Sequence, residues 1–194
     1  IADKLTLLGF KVFFAKNLRI KEFNALLDEV STFSADKSVF FFAGHGVQAK
    51  GRNYLIPKDV SLQHSTKQIL RNSIDLTAVL QKLPGKKKVI MLDACRSSVD
   101  HDKVERKNQG FAPVNVPRDT IITFSARDGD VAFDSFNGSI QSPFVQSLMT
   151  HLGLNEDVSL VMRKVRDDVW KFTNGLQEPW QYGSLGTEKL IIAN

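Results

Sequence analysis

With 194 residues, 42% of them apolar and 24% charged, the chain can build one domain with a sizeable core and has an ordinary globular make-up. No stretch approaches the roughly 18 apolar residues that span a bilayer, and the single cysteine excludes internal disulfides and a thiolate-rich zinc site. The net charge of +5 is mixed along the chain. Its one dense run, Lys86 to Lys88, lacks the interleaved aromatics of a nucleic-acid stripe and reads as a solvated strand entry.

In chain order, "ADKLTLLGF" reads as the end of a helix, with Gly9 supplying the left-handed stop. "FKVFFA" follows as a strand. "NLRIKEFNALLDEVSTF" places Ile20, Phe23, Leu26, Leu27, Val30 and Phe33 at helical spacing, with Asn17 as a candidate cap. "SVFFFAGHG" is a continuous apolar strand, and "NYLIP" is a short one reached through the turn "AKGRN". Ser73 is placed to cap a helix carrying Leu76, Val79, Leu80 and Leu83, which Pro84 and Gly85 end. "KVIMLDA" is the next buried strand.

Residues 97–119 are polar, charged and proline-punctuated, so they form a long loop. "TIITFSA" is a strand. "SPFVQSLMTHL" opens a helix with Ser142 as cap and Pro143 at the first position. "DVSLVMRKVRDDVWKFT" is amphipathic, and "KLIIA" is a last strand. Strands that are apolar throughout and alternate with helices imply a three-layer α/β/α fold with a mostly parallel central sheet. The expected organisation is a single domain over 1–194, with parts 1–96 and 120–194 on either side of the 97–119 loop. No signal peptide is visible. The chain opens on Ile1, so its true start is unseen; the cytoplasm is favoured and export stays open.

Ligand and catalytic sites of α/β sheets gather beyond the carboxyl ends of the strands. Two strand ends here carry reactive groups, His45 in "FFFAGHG" and Cys95 in "VIMLDAC", with one helix between them. Taken singly, Cys95 is a core residue and His45 a surface residue of a glycine turn. Together at one rim, an imidazole promotes the thiolate that attacks a carbonyl carbon and then protonates the leaving amine. The N–H groups of Gly46 and Cys95 are candidates for an oxyanion hole. The four histidines show no metal-ligand spacing, and neither a glycine-rich phosphate loop nor a C-x5-R motif accompanies Asp93 (position 101 is His).

"FFFAGHGVQAKGRNYLIPKDV" followed by "VIMLDACRSS" resembles the caspase-like cysteine peptidases, the clan of caspases, metacaspases and paracaspases. A His some 50 residues before the Cys is part of the known caspase signature. "TIITFSARDGDVAFD", "SPFVQSLMTHL" and "GLQEPWQYGSL" look like the second-subunit region of bacterial caspase-like domains. The resemblance covers nearly the whole chain and lacks only a first core strand before "IADKLTLLGF". It implies His45 as general base and acid, Cys95 as nucleophile, and a dyad without a third member. It also implies a large-subunit-like part over 1–96 and a small-subunit-like part over 120–194.

Where Asp-cleaving caspases have Gln two residues before the nucleophile, this chain has Asp93, the metacaspase and paracaspase arrangement. A carboxylate there attracts a substrate Arg or Lys; the plainer reading of Asp93 is a structural acid that caps nearby amides. Asp130, favoured over Asp128, is the candidate second acid, with a turn residue as the alternative. Lys103, Arg106, Lys107 and Arg118 are candidate self-cleavage positions. Trp180 either lines a cleft or packs on the domain.

The expected function is therefore a cysteine endopeptidase acting on peptides or proteins with a basic P1 residue. No nucleic-acid or membrane partner and no metal or other cofactor is expected. Calcium activation occurs in some metacaspases, but no EF-hand-like pattern indicates it here. The alternative is a catalytically silent caspase-like domain acting as an interaction or regulatory module. Oligomeric state is not readable from the sequence.

Overall fold

The computed structural model describes residues 1–49, 51–98, 116–127 and 130–193. In chain order the elements are α1 (Ala2–Leu7), α2 (Ile20–Ser31), β1 (Lys37–Ala49), β2 (Arg52–Leu55), α3 (Thr66–Arg71), β3 (Ile74–Asp75), α4 (Leu76–Lys82), β4 (Lys87–Ser98), β5 (Thr120–Phe124), α5 (Pro143–His151), α6 (Val158–Phe172) and β6 (Trp180–Ser184). The six strands form one sheet in the order β3-β2-β1-β4-β5-β6.

Side-chain alternation explains the layers. Val89 and Met91 of β4 and Ile121 of β5 turn to one face, where they join Leu5, Phe144, Leu148, Val161, Val165 and Val169 from α1, α5 and α6. Ile90, Leu92, Ile122 and Phe124 turn to the other and meet Phe23, Leu27, Val79 and Leu80 from α2 and α4. A strand apolar at every position is one covered by helices on both sides, so the α/β expectation holds. The sheet is mixed rather than mostly parallel. Strands β1, β4 and β5 run parallel at its centre, and β2, β3 and β6 pair antiparallel at the margins. Only β1 and β2 are joined by a tight return; β2 reaches β3 through α3, and β5 reaches β6 through α5 and α6.

The helix starts are set by side-chain oxygens. Ser142 caps α5 by accepting from the Val145 N–H at 3.0 Å, and Pro143 follows at the first position, as expected. Asp157 caps α6, accepting from the Ser159 N–H at 3.0 Å. Two other caps differ from the sequence reading. Helix α2 starts after Arg19, whose N–H donates to Glu22 at 2.8 Å, while Asn17 adopts a left-handed φ of 54°. Helix α4 starts after Asp75, which accepts from the Thr77 N–H, while Ser73 donates back to the Ile69 carbonyl at the end of α3, a helix the sequence reading did not contain.

Two expected strands also differ. "KLIIA" contributes only a bridge between Ile191 and Asp157, and the last strand is instead Trp180–Ser184, which pairs along the whole of β5. "FKVFFA" joins no ladder. Its natural neighbour would be β1, which pairs with β4 from Lys37 to Gln48 but with β2 only from Gly46 to Ala49. The first half of β1 thus has β4 on one side and no strand, among the described residues, on the other. The expected loop over 97–119 lies outside the described residues from 99 to 115, and with it Lys103, Arg106 and Lys107. No described helix is long and apolar enough to cross a membrane.

Candidate active site

Strands β1 and β4 run side by side in register, and the pairing brings His45 opposite Cys95 and Ala43 opposite Asp93. Two chain positions fifty residues apart thus become nearest neighbours across a parallel ladder, at the carboxyl end of the sheet. The His45 side chain is exposed, and among the described residues nothing hydrogen-bonds its ring. The glycine before it has a packing reason. A Cβ at Gly44 would come within 3.0 Å of the Phe42 ring, so glycine lets that ring fold back beneath the strand end. Gly46 is buried where β1 is flanked on both sides, by Arg96 of β4 and Leu55 of β2. The two amides named for the oxyanion hole, at positions 46 and 95, therefore lie on adjacent strands one register step apart.

Asp93 is in a different setting. Its carboxyl accepts a hydrogen bond from the Ser142 hydroxyl at 2.6 Å, so one serine caps α5 and holds Asp93. The Ser125 hydroxyl, just beyond β5, also eases the charge, although it has no hydrogen bond of normal geometry. Burial pushes the Asp93 carboxyl above the usual carboxylate range; the two serine hydroxyls pull the other way, and the negative charge of Asp134 pushes it up further. A half-buried acid held by a hydroxyl, with another acid near it and no cation acting on it among the described residues, is suited to a positive partner.

Of the residues named from sequence, the fold thus gathers His45, Gly46, Asp93 and Cys95 on two neighbouring strands. Asp130 is exposed, and it is Asp134 whose charge acts on Asp93. The segment "SARDGDVAFD" contained both acids, but a turn has no periodicity from which to choose between them. Ser125 and Ser142 were likewise invisible as neighbours of Asp93, since they come from 32 and 49 positions away in the sequence. Trp180 opens β6 half-buried, with the guanidinium groups of Arg127 and Arg166 5.0 and 5.1 Å from its ring. Arg127 also pairs with Glu178, and Arg166 donates to the Pro179 carbonyl at 2.9 Å. This clamp makes Trp180 part of the domain's own packing. Among the described residues no cluster of three or more His, Cys, Asp or Glu side chains is gathered as a metal site.

The profile of the caspase domain family of peptidases matches residues 1–191. The chain belongs to the caspase domain family. That membership makes it cysteine peptidase-like. Among solved structures, the chain is similar to caspase-1 from Spodoptera frugiperda, with a TM-score of 0.61 at 20% identity over 98% of this chain and 77% of the other. At that identity the likeness shows the fold alone. No curated protein sequence matches the chain.

Proposed function

We propose that this caspase-family domain is a cysteine endopeptidase that cuts after Arg or Lys, using His45 and Cys95 as a dyad. The observation that carries this reading is the register of β1 on β4, with His45 beside position 95 and the half-buried Asp93 two residues before it.

In the proposed mechanism, His45 takes the proton of the Cys95 thiol as the thiolate attacks the scissile carbonyl carbon. The N–H groups of Gly46 and Cys95 receive the negative charge that develops on the carbonyl oxygen, each such donor being worth about 3 kcal/mol in the transition state. When the tetrahedral intermediate collapses, the C–N bond breaks and the imidazolium of His45 gives its proton to the leaving amine. A water deprotonated by the same imidazole then attacks the thioester, releasing the acid and restoring the thiol. Asp93 supplies selectivity rather than chemistry. Its carboxylate faces the substrate residue before the cut and pairs with guanidinium or ammonium, repelling Asp.

Fluorogenic peptides ending in Arg, Lys or Asp test both parts. Cleavage confined to the basic peptides and abolished in Cys95→Ala is the expected result. Preference for Asp, or equal rates on all three, would remove the role given to Asp93. Failure of an arginyl chloromethylketone to alkylate Cys95 would instead favour the silent interaction module.

A further inference from the structure

Gln177 is a fully buried polar residue of the segment between α6 and β6, and the proposed mechanism leaves it without a task. Its carboxamide spans two pieces of backbone that reach the site from different directions. The Nε2 group donates to the Ser125 carbonyl at 2.7 Å, and Oε1 accepts from the Phe133 N–H at 3.1 Å. Ser125 is the residue whose hydroxyl faces Asp93, and Phe133 adjoins Asp134, whose charge acts on Asp93.

The side chain that makes this bridge is itself anchored. The Gln177 N–H donates to Thr173 Oγ1 at 3.0 Å, and the Thr173 hydroxyl donates to the Val169 carbonyl at 2.8 Å, tying the bridge to the last turn of α6. On the outer side, Phe133 packs on Phe136 and Phe136 on Phe172 of α6, with ring centroids 5.1 and 5.9 Å apart. The turn carrying Asp134 is thus fixed to α6 by rings on one flank and tied to the end of β5 by one amide on the other. An apolar side chain of the same size would fill the space. It would leave a buried carbonyl and a buried N–H unpaired and let the two walls drift.

We propose that Gln177 is a positioning residue of the specificity pocket, setting the separation between the Ser125 wall and the Asp134 turn and so how closely a basic side chain is held against Asp93. The proposal rests on the peptidase reading above and adds the residue that gives its pocket a fixed width. Gln177 touches neither substrate nor reacting atoms, so its removal weakens substrate binding and leaves the chemical step intact.

The test compares wild type with Gln177→Met, which keeps the volume and removes both hydrogen bonds, and with Gln177→Asn, which keeps the amide but lacks the reach for both walls. With an Arg peptide, the Met variant is expected to raise KM about tenfold and to hold kcat within about twofold, as a small misplacement of a binding group does. The Asn variant should fall between the two, and it carries the test if the Met variant does not fold. A readout independent of turnover is the 13C titration of the Asp93 carboxyl in the Cys95→Ala background, whose midpoint should fall as Asp134 drifts away. Unchanged KM and an unchanged titration, in a wild type that does cleave basic peptides, would overturn the role of Gln177 alone. A wild type that cleaves no basic peptide would overturn the peptidase reading and this proposal with it.

Discussion

His45 and Asp93 stand on neighbouring strands, two register steps apart, in opposite surroundings. The imidazole is exposed, and no described residue hydrogen-bonds it. The carboxyl is half-buried, receives a hydroxyl at 2.6 Å and feels a second acid. The fold invests packing in the group that would recognise a substrate and leaves the group that would move protons free to reach it. A proton carrier must meet both thiol and leaving amine during one turnover, whereas a recognition group is more selective the less it moves.

The largest expected effects fall on the proposed dyad. Cys95→Ala and His45→Ala should each lower kcat/KM on basic peptides by about 10⁴-fold or more, and the double variant should lose little beyond either one, as residues acting as a unit do. Thermal unfolding should separate the two sides, because substitution of an exposed, unpaired histidine changes stability by about 0.5 kcal/mol or less. A large fall in Tm for His45→Ala would break the contrast.

Asp93→Asn should act in the opposite sense. Activity on Arg peptides should drop about 100-fold, the scale of losing one partner of a buried charge pair. Stability at neutral pH should hold or rise, because the ionised carboxyl is the member that burial penalises. Denaturant melts at pH 7 check the second half.

The pH dependence follows from the same shift. A carboxyl raised above its ordinary value of 3.8 binds its proton more tightly in the folded than in the unfolded chain. Its contribution to stability is therefore fully present below 3.8 and is lost as pH rises through the folded value. Recognition runs the other way, since only the ionised form attracts a basic side chain. kcat/KM for Arg peptides should rise through an acid limb lying above the ordinary carboxylate range, and Asp93→Asn should flatten it.

The smallest effect belongs to Ser142→Ala, which removes a helix cap and an Asp93 partner together. It should cost about 1 kcal/mol. It should also move the acid limb up, because the lost hydroxyl is one that eases the charge.

The sheet interior and the two runs that bring His45 opposite position 95 were legible in the sequence because both rest on local pattern. Runs such as Val89 to Leu92 are apolar at every position, although β1 and β4 continue past Gly44 and Asp93, to Ala49 and Ser98. What escaped was settled by contact at long range. The effect of Asp134 on Asp93 was not readable, because the turn that carries Asp134 is tied back through Phe133 to Gln177, 44 positions on. "WQYGS" is a strand because β5 offers it an edge, and its own polar alternation is weak. "FKVFFA" has strand composition and no strand, because propensity counts only where a neighbour accepts the ladder.

The half-paired β1 has a consequence for handling the protein. From Lys37 to Ala43 it carries apolar rings on both faces, and among the described residues only β4 pairs with it over that stretch. Ladder groups beside Phe40, Phe41 and Phe42 that meet no second strand among the described residues are the kind of edge that accepts another extended backbone. The ammonium of Lys37 offers little protection, since it is drawn inward to the carbonyls of Ile191 and Ile192. Substitutions on this edge are therefore expected to change association at high concentration, on a stretch that begins eight residues before His45.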